Sequence, residues 1–252
     1  MSNDITTNKE RARYELLDAI RGLSIISMVF YHFVWDLVYI LHVDLPWYQT
    51  NASYIWQQSI CWTFILLSGF CWPLGKKKWK RGIIVFASGL LVSIVTQIVV
   101  PEDRILFGIL TMIGSAMLLL IPFEKILNRI SPVKGFMISA FLFIITRNIN
   151  RGYLGFEKWN FIKIPEFLYQ GNVMTFLGFK DNQFYSTDYF SLFPWIFLYI
   201  VGIFLYRFVV EKEKETVLIK CNMPWINFIG KKSLIFYLLH QPIIYAVVLL
   251  AE

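Results

Sequence analysis

Two ionisable side chains, Arg21 and His32, lie eleven positions apart in the first long apolar stretch. At 3.6 residues per turn this is almost three whole turns, so both side chains are predicted to point the same way, separated by about 16 Å of helix. Asp36 follows His32 by four positions and falls on the same face. One stripe therefore carries a cation that can bind an anion, an imidazole that can move a proton, and a carboxylate.

Simpler interpretations of these three residues stay open. Ionisable groups in a membrane span cost roughly 2.5–3.5 kcal/mol each, so they usually face a bundle interior or a cavity. Arg21 either faces such a cavity or extends to the phosphates of the inner leaflet. Asp36 is either part of the stripe or a hydrated residue at the outer rim. His32 either does chemistry or forms a structural hydrogen bond to a neighbouring helix.

His240 is the second deep histidine of the three in the chain, and His42 is expected in a solvated loop. It lies near the middle of the last apolar stretch, where Pro242 frees one backbone carbonyl. Counted from the inner ends of their helices, His32 and His240 come at comparable depth, so the two imidazoles are predicted to face one cavity. The alternative is that His240 and Gln241 form a polar pair that holds helices together.

The composition is that of an integral membrane protein. Of 252 residues, 57% are hydrophobic and 16% are charged, whereas a soluble domain has about 25% charged residues. The net charge of +7 lies in short connectors between apolar runs, which disfavours nucleic-acid binding, because that function places basic residues on one face of a soluble fold. The three cysteines, Cys61, Cys71 and Cys221, suggest neither a disulfide framework nor a metal site.

Runs of about 20 apolar residues predict an all-α, polytopic bundle of about seven transmembrane helices in a single domain, residues 1–252. The predicted spans cover residues 17–41, 53–74, 82–100, 105–123, 133–146, 189–210 and 225–250. The fifth is short, and is either tilted, partly re-entrant or extended past Arg147. The polar N-terminal segment is unlike a cleaved signal peptide, so the first run is expected to be a retained anchor.

Basic residues concentrate in alternate connectors, which predicts that the N-terminus lies inside. They are Lys9, Arg11 and Arg13, the run 75–81, Lys125, Arg129 and Lys134, and Lys212, Lys214 and Lys220. The long stretch 148–188 then lies outside, and its apolar middle, 164–179, is predicted to lie on the membrane or to dip into it. These features predict a multi-pass protein of a cell membrane, with a bacterial plasma membrane as the expected location.

Three smaller features have structural interpretations. Gly69, in the second span, predicts a close helix crossing through small residues. Asp188 is predicted to cap the sixth span. Trp195 is predicted to belong to an aromatic belt at the membrane interface.

Several segments resemble the transmembrane acyltransferases. LDAIRG and MVFYHFVWDL look like the N-terminal signature of that group, which includes acyltransferase family 3 and the heparan-alpha-glucosaminide N-acetyltransferase family. The spacing of Arg21 and His32 matches the Arg-x10-His pattern of acyltransferase family 3. FILLSGF resembles the second-helix motif of both families. LFGILTMIG, DYFSLFPWIFLYIVG and IGKKSLIFYLLHQP are similar to the short bacterial members of the heparan-acetyltransferase-like group.

The resemblance implies a membrane-embedded acyltransferase that moves an acyl group, commonly acetyl from acetyl-CoA, onto a hydroxyl or amine of a sugar or glycan. His32 matches the catalytic histidine, and Arg21 matches the arginine associated with the donor. We expect His32 to act as general base, oriented by Asp36 or His240. Arg21 and Lys231 would attract the phosphates of acyl-CoA. An acyl-histidine intermediate is an alternative route.

A small transporter or flippase is the alternative from another class of function, because the same polar stripe could serve as a substrate path. The absence of an inverted repeat in the sequence weighs against it. A non-catalytic scaffold would leave the two deep histidines with a packing role only. The expected partners are acyl-CoA, a sugar or glycan acceptor and the lipid bilayer, without nucleic acid or metal, and a homo-oligomer stays open.

Overall fold

The computed structural model describes residues 14–211 and 223–250. The helices are α1 (Glu15–Tyr39), α2 (Asn51–Cys71), α3 (Lys78–Val99), α4 (Ile109–Leu119), α5 (Glu124–Arg129), α6 (Pro132–Thr146), α7 (Gly171–Leu177), α8 (Leu192–Glu211), α9 (Pro224–Lys231) and α10 (Ser233–Leu249), and the strands are β1 (Tyr153–Phe156) and β2 (Trp159–Lys163). Several residues named above lie outside the described ranges: Lys9, Arg11, Arg13, Lys212, Lys214, Lys220 and Cys221.

The predicted all-α membrane bundle is confirmed. Four helices are long and apolar enough to cross a membrane, and two more apolar helices, α4 and α10, are shorter. The helix α2 has 21 residues and more polar side chains. The fifth predicted span is lengthened by the 3-10 turn that follows α6, so the apolar helical stretch covers Pro132–Arg151 and reaches 20 residues. Extension past Arg147 is therefore the correct interpretation of that span.

Two of the predicted spans are too long because their outer ends are extended rather than helical. The segments 104–107 and 186–190 run beside each other, with Thr187 N donating to Arg104 O at 3.2 Å and Phe190 N donating to Phe107 O at 2.8 Å. The backbone groups of these residues are satisfied by this pairing, so α4 begins only at Ile109 and α8 only at Leu192.

Two predictions for the residues before and at the start of α8 are wrong. Asp188 accepts a hydrogen bond from Ile109 N at 3.4 Å and so caps α4 instead of α8. A Cβ at Gly108 would lie 3.2 Å from Asp188 Oδ2, so the glycine lets the carboxyl group approach. Burial raises the pKa of Asp188 to about 6, and the hydrogen bond from Ile109 N–H opposes this shift. Trp195 is 3% exposed and packs 4.9 Å from the Arg147 guanidinium, so it does not form an interface belt.

Glycines allow the helices to cross with their backbones in contact. A Cβ at Gly69 on α2 would lie 2.0 Å from Tyr199 O on α8, and a Cβ at Gly202 would lie 2.2 Å from Leu66 O. The predicted close crossing at Gly69 is therefore confirmed. The last predicted span, by contrast, is broken at Lys232 (φ −107°, ψ 21°) into α9 and α10.

A short antiparallel hairpin was not predicted. The strands β1 and β2 lie in the stretch 148–188 and pair from Tyr153 with Lys163 to Phe156 with Trp159. The remaining connections of the described chain include the 3-10 helices Pro46–Gln49, Pro101–Asp103, Ile149–Arg151 and Glu166–Leu168.

Candidate functional site

The two deep histidines meet between α1 and α10. The ring centroids of His32 and His240 lie 4.8 Å apart, with the ring planes inclined by 55°. This contact agrees with the comparable depth predicted from the sequence, and both residues are half-buried. The pair therefore lies in the contact between these two helices, partly covered by them.

The hydrogen bonding of His240 fixes which of its nitrogens carries the proton. Its Nδ1 lies 2.5 Å from the backbone oxygen of Tyr237, and a carbonyl oxygen can only accept, so Nδ1 must donate. In the neutral ring, Nε2 is then the basic nitrogen. His240 Nε2 has no hydrogen-bond partner among the described residues. The lone pair of this buried nitrogen is thus not occupied by a hydrogen bond from the described residues.

Asp36 is bound by Gln241, the residue next to His240. The Nε2 of Gln241 donates to the two carboxyl oxygens of Asp36 at 3.0 and 3.2 Å. Asp36 is 0% exposed, so the interpretation of Asp36 as a hydrated rim residue is wrong. These hydrogen bonds connect Asp36 to α10 and not to the ring of His32. Its link to the histidine pair therefore runs through the position of α10.

A cavity of about 430 Å³ lies beside the histidine pair, among α1, α2, α3, α4 and the α9–α10 junction. It is lined by Arg21, Phe64, Leu67, Ser68, Cys71, Arg81, Ile84, Val85, Ile109, Leu110, Ile113, Met117, Gly230, Lys231, Ser233, Leu234 and Tyr237. Most of these side chains are apolar, and three of them, Arg21, Arg81 and Lys231, are cationic. The volume lies within the range of about 300–1,000 Å³ that is typical of small-molecule sites.

The cations of the cavity come from the helix ends that are predicted to lie inside. Arg21 and Lys231, both predicted from the sequence to bind the donor, line it together with Arg81. Arg21 donates to Asp18 Oδ1 at 3.1 Å and to Cys71 Sγ at 2.7 Å. Arg21 therefore does not simply extend to lipid phosphates, because its guanidinium is held at the wall of the cavity.

Arg21 and His32, which the helical period predicts on one face of α1, do not line this cavity together. Arg21 lines the cavity, whereas His32 and His240 are not among the lining residues. Tyr237 lines the cavity and packs against His240, with 5.5 Å between the ring centroids. Phe64 also lines the cavity, 6.5 Å from the ring of Tyr237. Tyr237 thus lies between the cavity and the histidine pair.

Comparison with known proteins decides the family. A family model described as heparan-alpha-glucosaminide N-acetyltransferase, catalytic, matches residues 13–242. The chain belongs to this family. Comparisons with curated proteins and with solved structures gave no significant match. The resemblance inferred from the sequence is confirmed.

Membership of the heparan-alpha-glucosaminide N-acetyltransferase family, together with the apolar helices, makes this chain a membrane protein with an acetyltransferase-like function. The matched region contains the histidine pair and every residue that lines the cavity. No group of three or more His, Cys, Asp or Glu side chains that could hold a metal ion occurs in the part of the chain that the structure describes.

Several residues of this family member's cavity were not singled out from the sequence. The sequence pattern places Arg81 only in a basic connector that sets topology, and Tyr237 only in an apolar span. Tyr237 lies three positions before His240, on the same side of α10, so this spacing was the signal available. Arg81 carried no comparable signal, because its approach to the cavity depends on how α3 packs against the other helices.

Proposed function

We propose that the chain transfers an acyl group, commonly acetyl, from acyl-CoA to a hydroxyl or amine of a sugar or glycan. One observation carries this proposal: a mostly apolar cavity bears three cations, and at Tyr237 it adjoins a pair of deep histidines. The family gives the class of reaction. The arrangement supports particular roles for the residues.

The cations suit the phosphates of the donor. Arg21 and Arg81 can each offer a planar fork of donors to a phosphate, and Lys231 adds a point charge. The apolar side chains beyond them suit the pantetheine arm, which has to extend toward Tyr237 if the thioester is to reach the histidines. This orientation brings acyl-CoA from the side predicted to lie inside.

The histidines suit the proton transfers of the reaction. His32 takes the proton of the acceptor hydroxyl or amine as that group attacks the thioester carbonyl. A C–O or C–N bond forms, the C–S bond breaks, and the CoA thiolate takes the proton from the imidazolium. His240 positions His32 by ring contact, and Asp36 positions α10 through Gln241.

The test compares two histidine variants of the purified, reconstituted protein, with glucosamine as the probe acceptor and acetyl-CoA as the donor. His32→Ala is expected to abolish release of CoA thiol that depends on glucosamine, while stabilisation by acetyl-CoA in a thermal-shift titration persists. His42→Asn is the matched control. His42 is exposed and has a positive φ of 53°, which Asn tolerates, so this variant is expected to keep full activity.

Two results would contradict the proposal. Full transfer by His32→Ala would remove the proposed base. Failure of acetyl-CoA to stabilise the unsubstituted protein would remove the donor site and favour the transporter or flippase, which has no need to bind CoA.

A further inference from the structure

Five large apolar side chains of the stretch between α6 and α8 are exposed. They form what we call the hairpin surface: Trp159 at 70%, Phe161 at 64%, Ile162 at 59%, Phe167 at 71% and Val173 at 74% exposure. All residues of β2 are exposed. So many exposed large apolar side chains in one short stretch indicate contact with something other than water, because exposed apolar surface of this extent is uncommon in soluble proteins.

The hairpin is hydrogen-bonded to the bundle. Asn148 Nδ2 donates to the backbone oxygens of Glu157 and Trp159 at 2.9 and 3.2 Å. The Glu157 carboxylate accepts from Tyr54 OH at 2.9 Å and lies 3.3 Å from Arg147 Nε. These bonds connect the hairpin turn to α2 and to the end of α6. The exposed side chains of β2 therefore belong to a hairpin that is attached to the bundle.

The hairpin surface lies beside a helix that is long and apolar enough to cross the membrane. Along α6, which crosses the membrane, Met137, Ile138, Phe141 and Ile144 are 62%, 56%, 61% and 48% exposed. This helix packs against β1, so the hairpin lies directly beside a helix whose exposed side chains are apolar. Exposed aromatic residues beside lysines are typical of the boundary between hydrocarbon and headgroups, and Lys163 ends β2.

We propose that the hairpin surface lies on the outer leaflet of the bilayer, at headgroup depth. The depth follows from the backbone. The sheet has two strands, so β2 has one edge whose N–H and C=O groups are not paired with a third strand. Such an edge is not tolerated in the hydrocarbon core, where every backbone polar group needs an internal partner. The apolar side chains can enter the acyl boundary while this edge stays hydrated.

The test measures depth at single introduced cysteines in the full chain, reconstituted in vesicles and labelled with an environment-sensitive fluorophore. Phe161→Cys and Phe167→Cys report on the hairpin surface. Met137→Cys, on the lipid-facing side of α6, is the lipid reference, and Gln183→Cys, in the exposed turn before α8, is the water reference. The unsubstituted protein, labelled in parallel, gives the background from the native cysteines.

The proposal expects labels at positions 161 and 167 to be quenched by lipids brominated near the headgroup more strongly than by lipids brominated near the chain end. Aqueous iodide should quench both less than the label at position 183. Quenching by iodide equal to that at 183, without loss from brominated lipid, would overturn the proposal. Protection from both quenchers, with crosslinking between chains through position 161, would also overturn it and assign the surface to a second copy.

Discussion

The contact between Asp36 and Gln241 gives the most specific prediction about stability. Replacing Gln241 by Leu keeps the size of the side chain and removes the amide that donates to Asp36. An interhelical hydrogen bond in a membrane protein contributes on average about 0.6 kcal/mol and at most about 1.7 kcal/mol. Leaving a buried polar group without its donor costs about 1–3 kcal/mol, and more for a charged group. Since Asp36 is 0% exposed, the cost of leaving a buried polar group without a donor is the range that applies.

We therefore expect Gln241→Leu to lower the free energy of unfolding by about 2–3 kcal/mol. The measurement is unfolding of the protein in mixed micelles with increasing fractions of denaturing detergent. Asp36→Leu removes the carboxyl group that Gln241→Leu leaves without a hydrogen-bond donor, and it is made both alone and together with Gln241→Leu. The double variant is then expected to be less destabilised than the sum of the single variants, with a coupling of about 1–2 kcal/mol.

The same variant is expected to change catalysis in a particular way. Gln241 is the neighbour of His240, whose ring lies 4.8 Å from that of His32, so release of α10 from Asp36 should lower kcat for acetyl transfer. The KM for acetyl-CoA should change little, because Arg21, Arg81 and Lys231 lie on other helices. A coupling energy near zero, or a rise in KM without a fall in kcat, would refute this account of the contact.

Three further predictions concern the cavity, the helix crossings and pH. In the CoA-release assay, Lys231→Gln should raise the KM for acetyl-CoA by roughly two- to fivefold, since one exposed charge contributes about 1 kcal/mol or less. The control Lys232→Gln should leave this KM unchanged, because Lys232 does not line the cavity. Gly230→Ala should lower the unfolding free energy by about 1–3 kcal/mol or more, because its Cβ would lie 1.8 Å from a backbone oxygen; Gly82→Ala, which meets a flexible leucine side chain at 2.7 Å, should be less harmful. Because the pKa of Asp188 is raised from 3.8 to about 6, its protonated form is favoured by folding, so stability should fall as pH rises through this window; Asp188→Asn should flatten that part of the thermal-denaturation profile against pH.

The local part of the candidate site could be predicted from the sequence. The spacing of His32 and Asp36 on one helix depends only on the helical period, and both side chains do contact α10. The meeting of His32 with His240 followed from counting depth in two helices that start on the same side. These two inferences require only the helical period and the assumption that the first and last helices are neighbours.

The cavity could not be predicted in the same way. Its walls depend on the packing of α2, α3 and α4, which is set by close crossings such as the one at Gly69. The hairpin was missed because its strands have only four and five residues, and because its turn uses Glu157 at a φ of 50° where a glycine or asparagine would have signalled a turn. The break at Lys232 was missed because neither proline nor glycine lies at that position.

The helix crossings also explain how the two halves of the site are kept apart. A Cβ at Gly22 would lie 2.1 Å from Ile226 O, so α9 packs backbone to backbone on the turn of α1 that carries Arg21. Arg21 and Lys231 are therefore fixed relative to each other. The chain then changes direction at Lys232 before α10 carries Tyr237 and His240 to the other end of the cavity. Under the proposed mechanism, recognition of an anion and transfer of a proton would therefore depend on different segments, and Tyr237 lies between the cavity and the histidine pair.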